Sequence, residues 1–160
     1  MKQSIPIKRL ALGLVVLPVF LGSVAPYYSP IPAETGRLTI HFSGLENTTG
    51  QVRVVLYKEA GKFLANKGSV KTATAPIAPD RTAVVELSNL PFGTYAAVMH
   101  HDENGNNLPD RNWAGLPIEP YGFSNGIRAK WTMPSFEKAK FEFREPDKKL
   151  TATVRRWSEQ

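Results

Sequence analysis

At 160 residues, with 20 Lys and Arg against 14 Asp and Glu and no cysteine, the chain has the length of one domain. Disulfides, thiolate metal sites and a lipidated N-terminal cysteine are excluded. Of the formal +6 charge, three units come from Lys2, Lys8 and Arg9; the remaining +3 is scattered, densest at Lys148-Lys149 and Arg155-Arg156, and without a basic stripe or motif it argues against nucleic acid as partner.

The chain opens with those three basic residues ahead of LALGLVVLPVFLG (10–22), an uncharged apolar run interrupted by Pro18. A basic start and a short apolar stretch are the parts of a secretory signal, and the run falls short of the ~20 residues of a membrane span. Residues 1–25 are therefore expected to direct export, to the periplasm or beyond the cell. Ser23-Val24-Ala25 has the small residues wanted before a cut, but Pro26 follows it, and Ala33 before Glu34 is a later alternative. Left uncut, the segment is a retained anchor, the one case in which a membrane becomes a partner. Residues 26–36 form a Pro-rich linker, and 37–157 the folded domain.

From residue 37 the apolar period is two. RLTIHFSGL (37–45) alternates Leu38, Ile40 and Phe42 with polar residues, as a half-buried strand does. ENTTG (46–50) supplies turn residues before the strand QVRVVLYK (51–58), and a hairpin is expected there. EAGKFLANKGS (59–69) suits a helical turn anchored by Phe63 and Leu64, and VKTATAPIAPD (70–80) a short strand whose prolines fit an edge. TAVVELSNL (82–90), TYAAVMHH (94–101), KAKFEFRE (138–145) and LTATVRRW (150–157) complete the strands, with almost no helix. The class is all-β: a single antiparallel β-sandwich of about seven strands, immunoglobulin-like or transthyretin-like, with one long loop. LPFGTY (90–95) sharpens this, because Gly-x-Tyr entering a strand is the pattern of a tyrosine corner, whose phenol bonds back to nearby backbone.

With Tyr95 facing the core, Ala97, Met99 and His101 also point inward, and Ala96, Val98 and His100 point to the other face. The strand then runs into HHDENGNNLPDRNWAGLPIEPYGFSNG (100–126). His100 and His101 point apart and cannot chelate one ion together. His101, where strand meets loop, can pin the loop through its ring nitrogens, ligate a metal or act as a base. Asp102, Asn104, Asn106 and Asp110 place oxygen side chains at the odd spacing of a calcium loop, with the carbonyl of Leu108 among them. Asn107 stands where that loop has Gly, and Trp113 where it has a bidentate Glu, so calcium as a cofactor would be weakly held, with Glu119 a distant third carboxylate. The ion-free alternative is a series of Asx turns, with Gly105 at positive φ. Further on, Trp113, Tyr121 and Phe123 either anchor the loop against the sandwich or present rings to a ligand. A loop of this length without regular structure is normally functional or packed as a unit.

These residues carry a resemblance. Leu90, Gly93, Tyr95, His101, Asp102, Asn104, Asn106, Asp110, Gly115, Pro117, Glu119, Gly122, Phe123 and Ser124 resemble the signature of a bacterial family known as domain of unknown function 2141, and the likeness extends loosely over 37–157. The resemblance implies an exported sandwich module and no settled activity. Loops on a rigid sandwich commonly carry function, so the reading is a non-enzymatic module that binds an envelope or extracellular ligand through His101, Trp113, Glu119, Tyr121 and Phe123. The alternative is a hydrolase with His101 as base and Asp102, Asp110 or Glu119 as its partner. It lacks a nucleophile, since Ser124 in GFSNG does not have the Gly-x-Ser-x-Gly spacing.

Overall fold

The computed structural model describes residues 34–65, 67–129 and 132–159; the expected signal, 1–25, and linker residues 26–33 lie outside the described residues. Period-two alternation builds two facing sheets, each turning one side of its strands to a shared core. β1 (Thr35–Phe42) lies between β4 (Ala83–Pro91) and β8 (Asp147–Ala152). In the second sheet β3 (Lys71–Pro76), β2 (Gln51–Tyr57), β5 (Gly93–Asp102) and β6 (Tyr121–Phe123) follow in that order, and β7 (Lys140–Phe143) pairs with the start of β5. Leu38, Ile40, Phe42, Val85 and Leu87 meet Val52, Val54, Leu56, Tyr95, Ala97 and Met99 between the sheets, all buried. The fold is the expected all-β sandwich, and β3 with Pro76 at its end is an edge strand.

Three features depart from the reading of the sequence. β1 pairs antiparallel with β4 but parallel with β8, so one ladder is not antiparallel. Residues 43–50 do not close a hairpin: β1 and β2 belong to different sheets, and the segment crosses between them. The turn chemistry there is present, with Thr49 N donating to Asn47 Oδ1 at 2.9 Å, but a local turn cannot say which sheet receives the next strand. Finally, β8 begins at Asp147, directly after Pro146, whose carbonyl accepts from Arg37 N at 2.7 Å, and ends at Ala152. Proline has no N–H to give a ladder, but it can close one with its carbonyl.

The outer face of the second sheet is also covered. After β6 the chain folds back over β5, and α1 (Phe136–Ala139) packs Phe136 and Ala139 on Tyr57 and Ala96. Phe63 joins this layer, edge-on to Tyr57 at 5.3 Å and to Phe136 at 5.9 Å between ring centroids. Leu64, expected to anchor beside it, adopts φ 64° and turns outward to 36% exposure.

Tyr95 closes the corner as expected. Its Oη donates to Pro91 O at 2.7 Å, and its buried ring leans on Phe141 and Phe143. That bond ties the end of β4 to the start of β5 across the change of sheet. Tyr95→Phe keeps the ring and removes the corner bond, so a loss of about 0.5–1.5 kcal/mol is expected. Thermal unfolding should show a melting temperature lower by roughly 3–6 °C per kcal/mol; an unchanged melting temperature would mean that the corner bond contributes nothing.

Candidate functional site

β5 delivers His101 and Asp102, both fully buried, to the point where the loop leaves the sheet. His101 Nε2 lies 2.8 Å from Thr49 O, and its backbone N–H reaches Pro120 O at 2.9 Å. The segment carrying Thr49 comes close because residue 50 is glycine: at its φ of 72° a Cβ would stand 2.1 Å from Asp102 O. His101 thus clamps the 43–50 crossover against both ends of the loop.

Asp102 organises the loop's first turn. Its Oδ1 accepts from Asn106 N at 3.1 Å, and its Oδ2 from Asn107 N at 3.0 Å and Gln51 Nε2 at 2.8 Å. Asn104 Oδ1 also accepts from Asn106 N at 3.0 Å, and Asn106 Oδ1 from Leu108 N at 2.7 Å. The two asparagine Nδ2 groups turn to Asp110, which both amides contact. Gly105 and Asn107 take positive φ, 70° and 65°, allowing the carboxylate to be wrapped by successive Asx turns. The structure therefore brings together Asp102, Asn104, Asn106 and Asp110 as the calcium spacing required, but each oxygen set faces an N–H donor. Leu108 is 62% exposed. Among the described residues no group of three or more His, Cys, Asp or Glu is arranged to hold a metal.

Glu119, also buried, holds the loop's far side. Its Oε1 accepts from Glu103 N at 2.8 Å and its Oε2 from Asp110 N at 3.5 Å, and burial pushes its carboxyl above the usual range despite those donors. Arg156 adds a clasp from the C-terminal segment, with Nε 2.8 Å from Glu46 Oε2, Nη1 2.8 Å from Ile118 O and Nη2 2.9 Å from Glu103 Oε1. The aromatic residues separate. Tyr121 and Phe123 are buried in β6, with rings 5.7 Å apart, so they anchor the loop. Trp113 does not: it sits at the tip of a turn capped by Asn112 Oδ1, which accepts from Ala114 N and Leu116 N, both at 3.0 Å, and it is 99% exposed.

Among the described residues, the side chains named for a hydrolytic centre are engaged elsewhere. His101 has no exposed surface, Asp102 and Glu119 bond backbone amides, and the Ser124 hydroxyl is held by Ala97 N at 2.9 Å and by the Ala139 carbonyl. The loop instead forms one wall of a cleft of about 520 Å³ on the outer face of the sheet. Register explains its floor. Val55, Val98 and Phe123 are cross-strand neighbours on β2, β5 and β6, and Arg53, His100 and Tyr121 form the next row. Asn107 to Arg111 and Glu119 of the loop also line the cleft, as do Leu64, Ser69 and Met133. Arg53 Nη1 donates to Asn107 Oδ1 at 2.7 Å, tying the floor to the wall. His100 is 5% exposed and its Nε2 has no hydrogen-bond partner; burial holds its pKa down to about 4, opposed by Asp102 and reinforced by Arg53. Arg53, Val55, Val98 and Met133 were not among the residues singled out from sequence. The available signal was Arg53, a charge inside an otherwise apolar strand.

Residues 40–151 match the model of a family described as "Uncharacterized protein conserved in bacteria (DUF2141)", while no curated protein and no solved structure matches the chain.

The His100 pKa gives a pH dependence of stability. The unfolded side chain titrates near 6.5 and the folded one near 4, so above pH 6.5 both states are neutral and the contribution is complete. As pH falls through that window only the unfolded state takes the proton, and stability should drop by about 3 kcal/mol by pH 4. Denaturant melts of the chain and of His100→Gln should diverge below pH 6.5, the variant having the flatter profile; parallel profiles would show that His100 is not buried neutral.

Proposed function

The chain belongs to the DUF2141 family of bacterial proteins, and from that premise we propose that it is an exported, non-enzymatic binding module whose ligand occupies the cleft beneath the 103–120 loop. The observation that carries this reading is the floor of the cleft. Val55 and Val98 pack against the layer formed by α1 and Phe63 yet stay only half-buried where they line the cleft, beside the buried His100, whose Nε2 has no partner. A concave, mostly apolar surface with a few convergent polar groups is the usual form of a small-molecule site. His101 and Glu119 serve it from behind by holding the loop, and Tyr121 and Phe123 form part of its floor. Trp113 stands outside the cleft, where it is available to a larger envelope or extracellular partner. Export is supported by the basic and apolar pattern of residues 1–25.

In this reading the loop works without an ion. For calcium to sit among Asp102, Asn104, Asn106, Leu108 and Asp110, the two asparagine Nδ2 groups would have to turn away from Asp110. Calcium added after chelation, up to several millimolar, is therefore expected to leave the melting temperature unchanged; a saturable rise would favour the ion-bound loop instead.

A neutral solvatochromic dye such as Nile red tests the cleft directly. We expect a saturable rise in emission that is lost in Val55→Lys, while the melting temperature stays within a few degrees. Should that variant unfold, Met133→Lys, also in the lining of the cleft, makes the same test. Dye binding that survives a charge at both positions would place the ligand elsewhere.

A further inference from the structure

We infer that the cleft takes an amphipathic organic anion, its charged head at Arg53 and Arg111 beside His100 and its apolar body along Val55, Val98 and Met133, a conclusion that rests on the cleft being the binding site. Three observations converge on this chemistry. The first is the division of the floor. The β2–β5–β6 register sets an apolar row, Val55, Val98 and Phe123, directly beside a polar row, Arg53, His100 and Tyr121. A ligand lying across both rows must itself be apolar along one side and polar along the other.

The second is an imbalance of hydrogen-bonding capacity where formal charge is balanced. Arg53 and Arg111 face Asp110 and Glu119 around the cleft. The carboxylates are partly committed: Glu119 accepts two backbone N–H groups, and Asp110 accepts the amides of Asn104 and Asn106. Each guanidinium has five N–H donors and no acceptor. Arg53 gives Nη1 to Asn107 Oδ1 and Arg111 gives Nη1 to Gly115 O at 2.8 Å, and among the described residues their other donors meet no protein acceptor. A carboxylate or phosphate monoester is the ligand group that would take up such donors, through short charge-assisted bonds. The third is His100 itself. It lines the floor, is 95% withdrawn from solvent on a relative exposure of 5%, and leaves Nε2 without a partner. A buried polar atom without a partner is costly; because this atom is itself closed to solvent, a headgroup oxygen between the two arginines would satisfy it through a turn of the His100 ring.

The volume, about 520 Å³, admits a chain of roughly ten carbons with its head, within the ~300–1,000 Å³ usual for small-molecule sites. The test uses the full chain and three probes: decanoate, decanol and acetate. Calorimetry should find decanoate binding at least about tenfold more tightly than decanol, and acetate not at all. Arg111→Gln should weaken decanoate about tenfold and leave decanol unchanged, and Arg53→Lys, which keeps a charge, should weaken it less than Arg53→Gln. In NMR spectra decanoate should shift Val55, Val98 and the His100 ring. Decanol binding as tightly as decanoate, with the same residues shifting, would overturn the anion and leave the cleft standing. If neither chain shifts those residues, the cleft reading falls with it.

Discussion

Burial of β5 on both of its faces is the constraint from which the rest follows. Its inner residues Tyr95, Ala97 and Met99 fill the core between the sheets, and its outer residue Ala96 lies under Phe136 and Ala139. Paired with β2 along one edge and with β7 and β6 along the other, it has no free backbone to offer water for most of its length. From Tyr95 to Asp102 only Val98 remains partly exposed. A strand so enclosed has one register, because a slip of one residue would exchange every inward side chain with an outward one. That fixed register is what carries His101 and Asp102 to one defined point and His100 to another.

The loop beyond β5 shows how a polar segment is ordered without a core of its own. A buried carboxylate is expensive unless donors surround it, and Asp102 has two backbone N–H groups and the Gln51 amide on its oxygens. Glu119 meets the same demand with the N–H groups of Glu103 and Asp110. These bonds close across the loop rather than along it, so residues distant in sequence hold one another. Arg156 extends the arrangement to the C-terminal segment, and Gly122 allows that segment to approach: a Cβ there would stand 2.1 Å from Thr153 O.

Much of this was legible in the sequence, and the limits have physical causes. Alternation in β1, β2, β4 and β5 marked the core face, since a strand's period does not depend on its neighbours. The Tyr95 corner was legible because it is closed within four residues. The pinning role open to His101 was also visible, though its partner Thr49 was not, lying in a segment misread as a hairpin turn. Pairing across distance leaves little local trace, and the parallel β1–β8 ladder and the crossover at 43–50 were missed for that reason. The sequence left Trp113 open between anchoring and display, because a large ring suits either, while the polar cap of Asn112 decides the turn and leaves the ring outside. The cleft needed both register and fold-back to exist, so its floor could not be assembled from any one strand.

The same bonds that satisfy the loop also determine what the cleft can hold. Because Asp110 and Glu119 accept N–H donors within the loop, they shape the wall with part of their acceptor capacity already spent. The floor is a paired sheet, and the wall is fastened to it by Arg53 through Asn107. Little has to be ordered when a ligand arrives, which removes one of the main costs of binding. Trp113 has no such preparation. It stands on a capped turn with nothing packed against it, so any partner it meets must supply all the surface that covers the ring. The two features therefore favour different kinds of ligand: the cleft one small enough to be enclosed, and the tryptophan a surface large enough to do the enclosing.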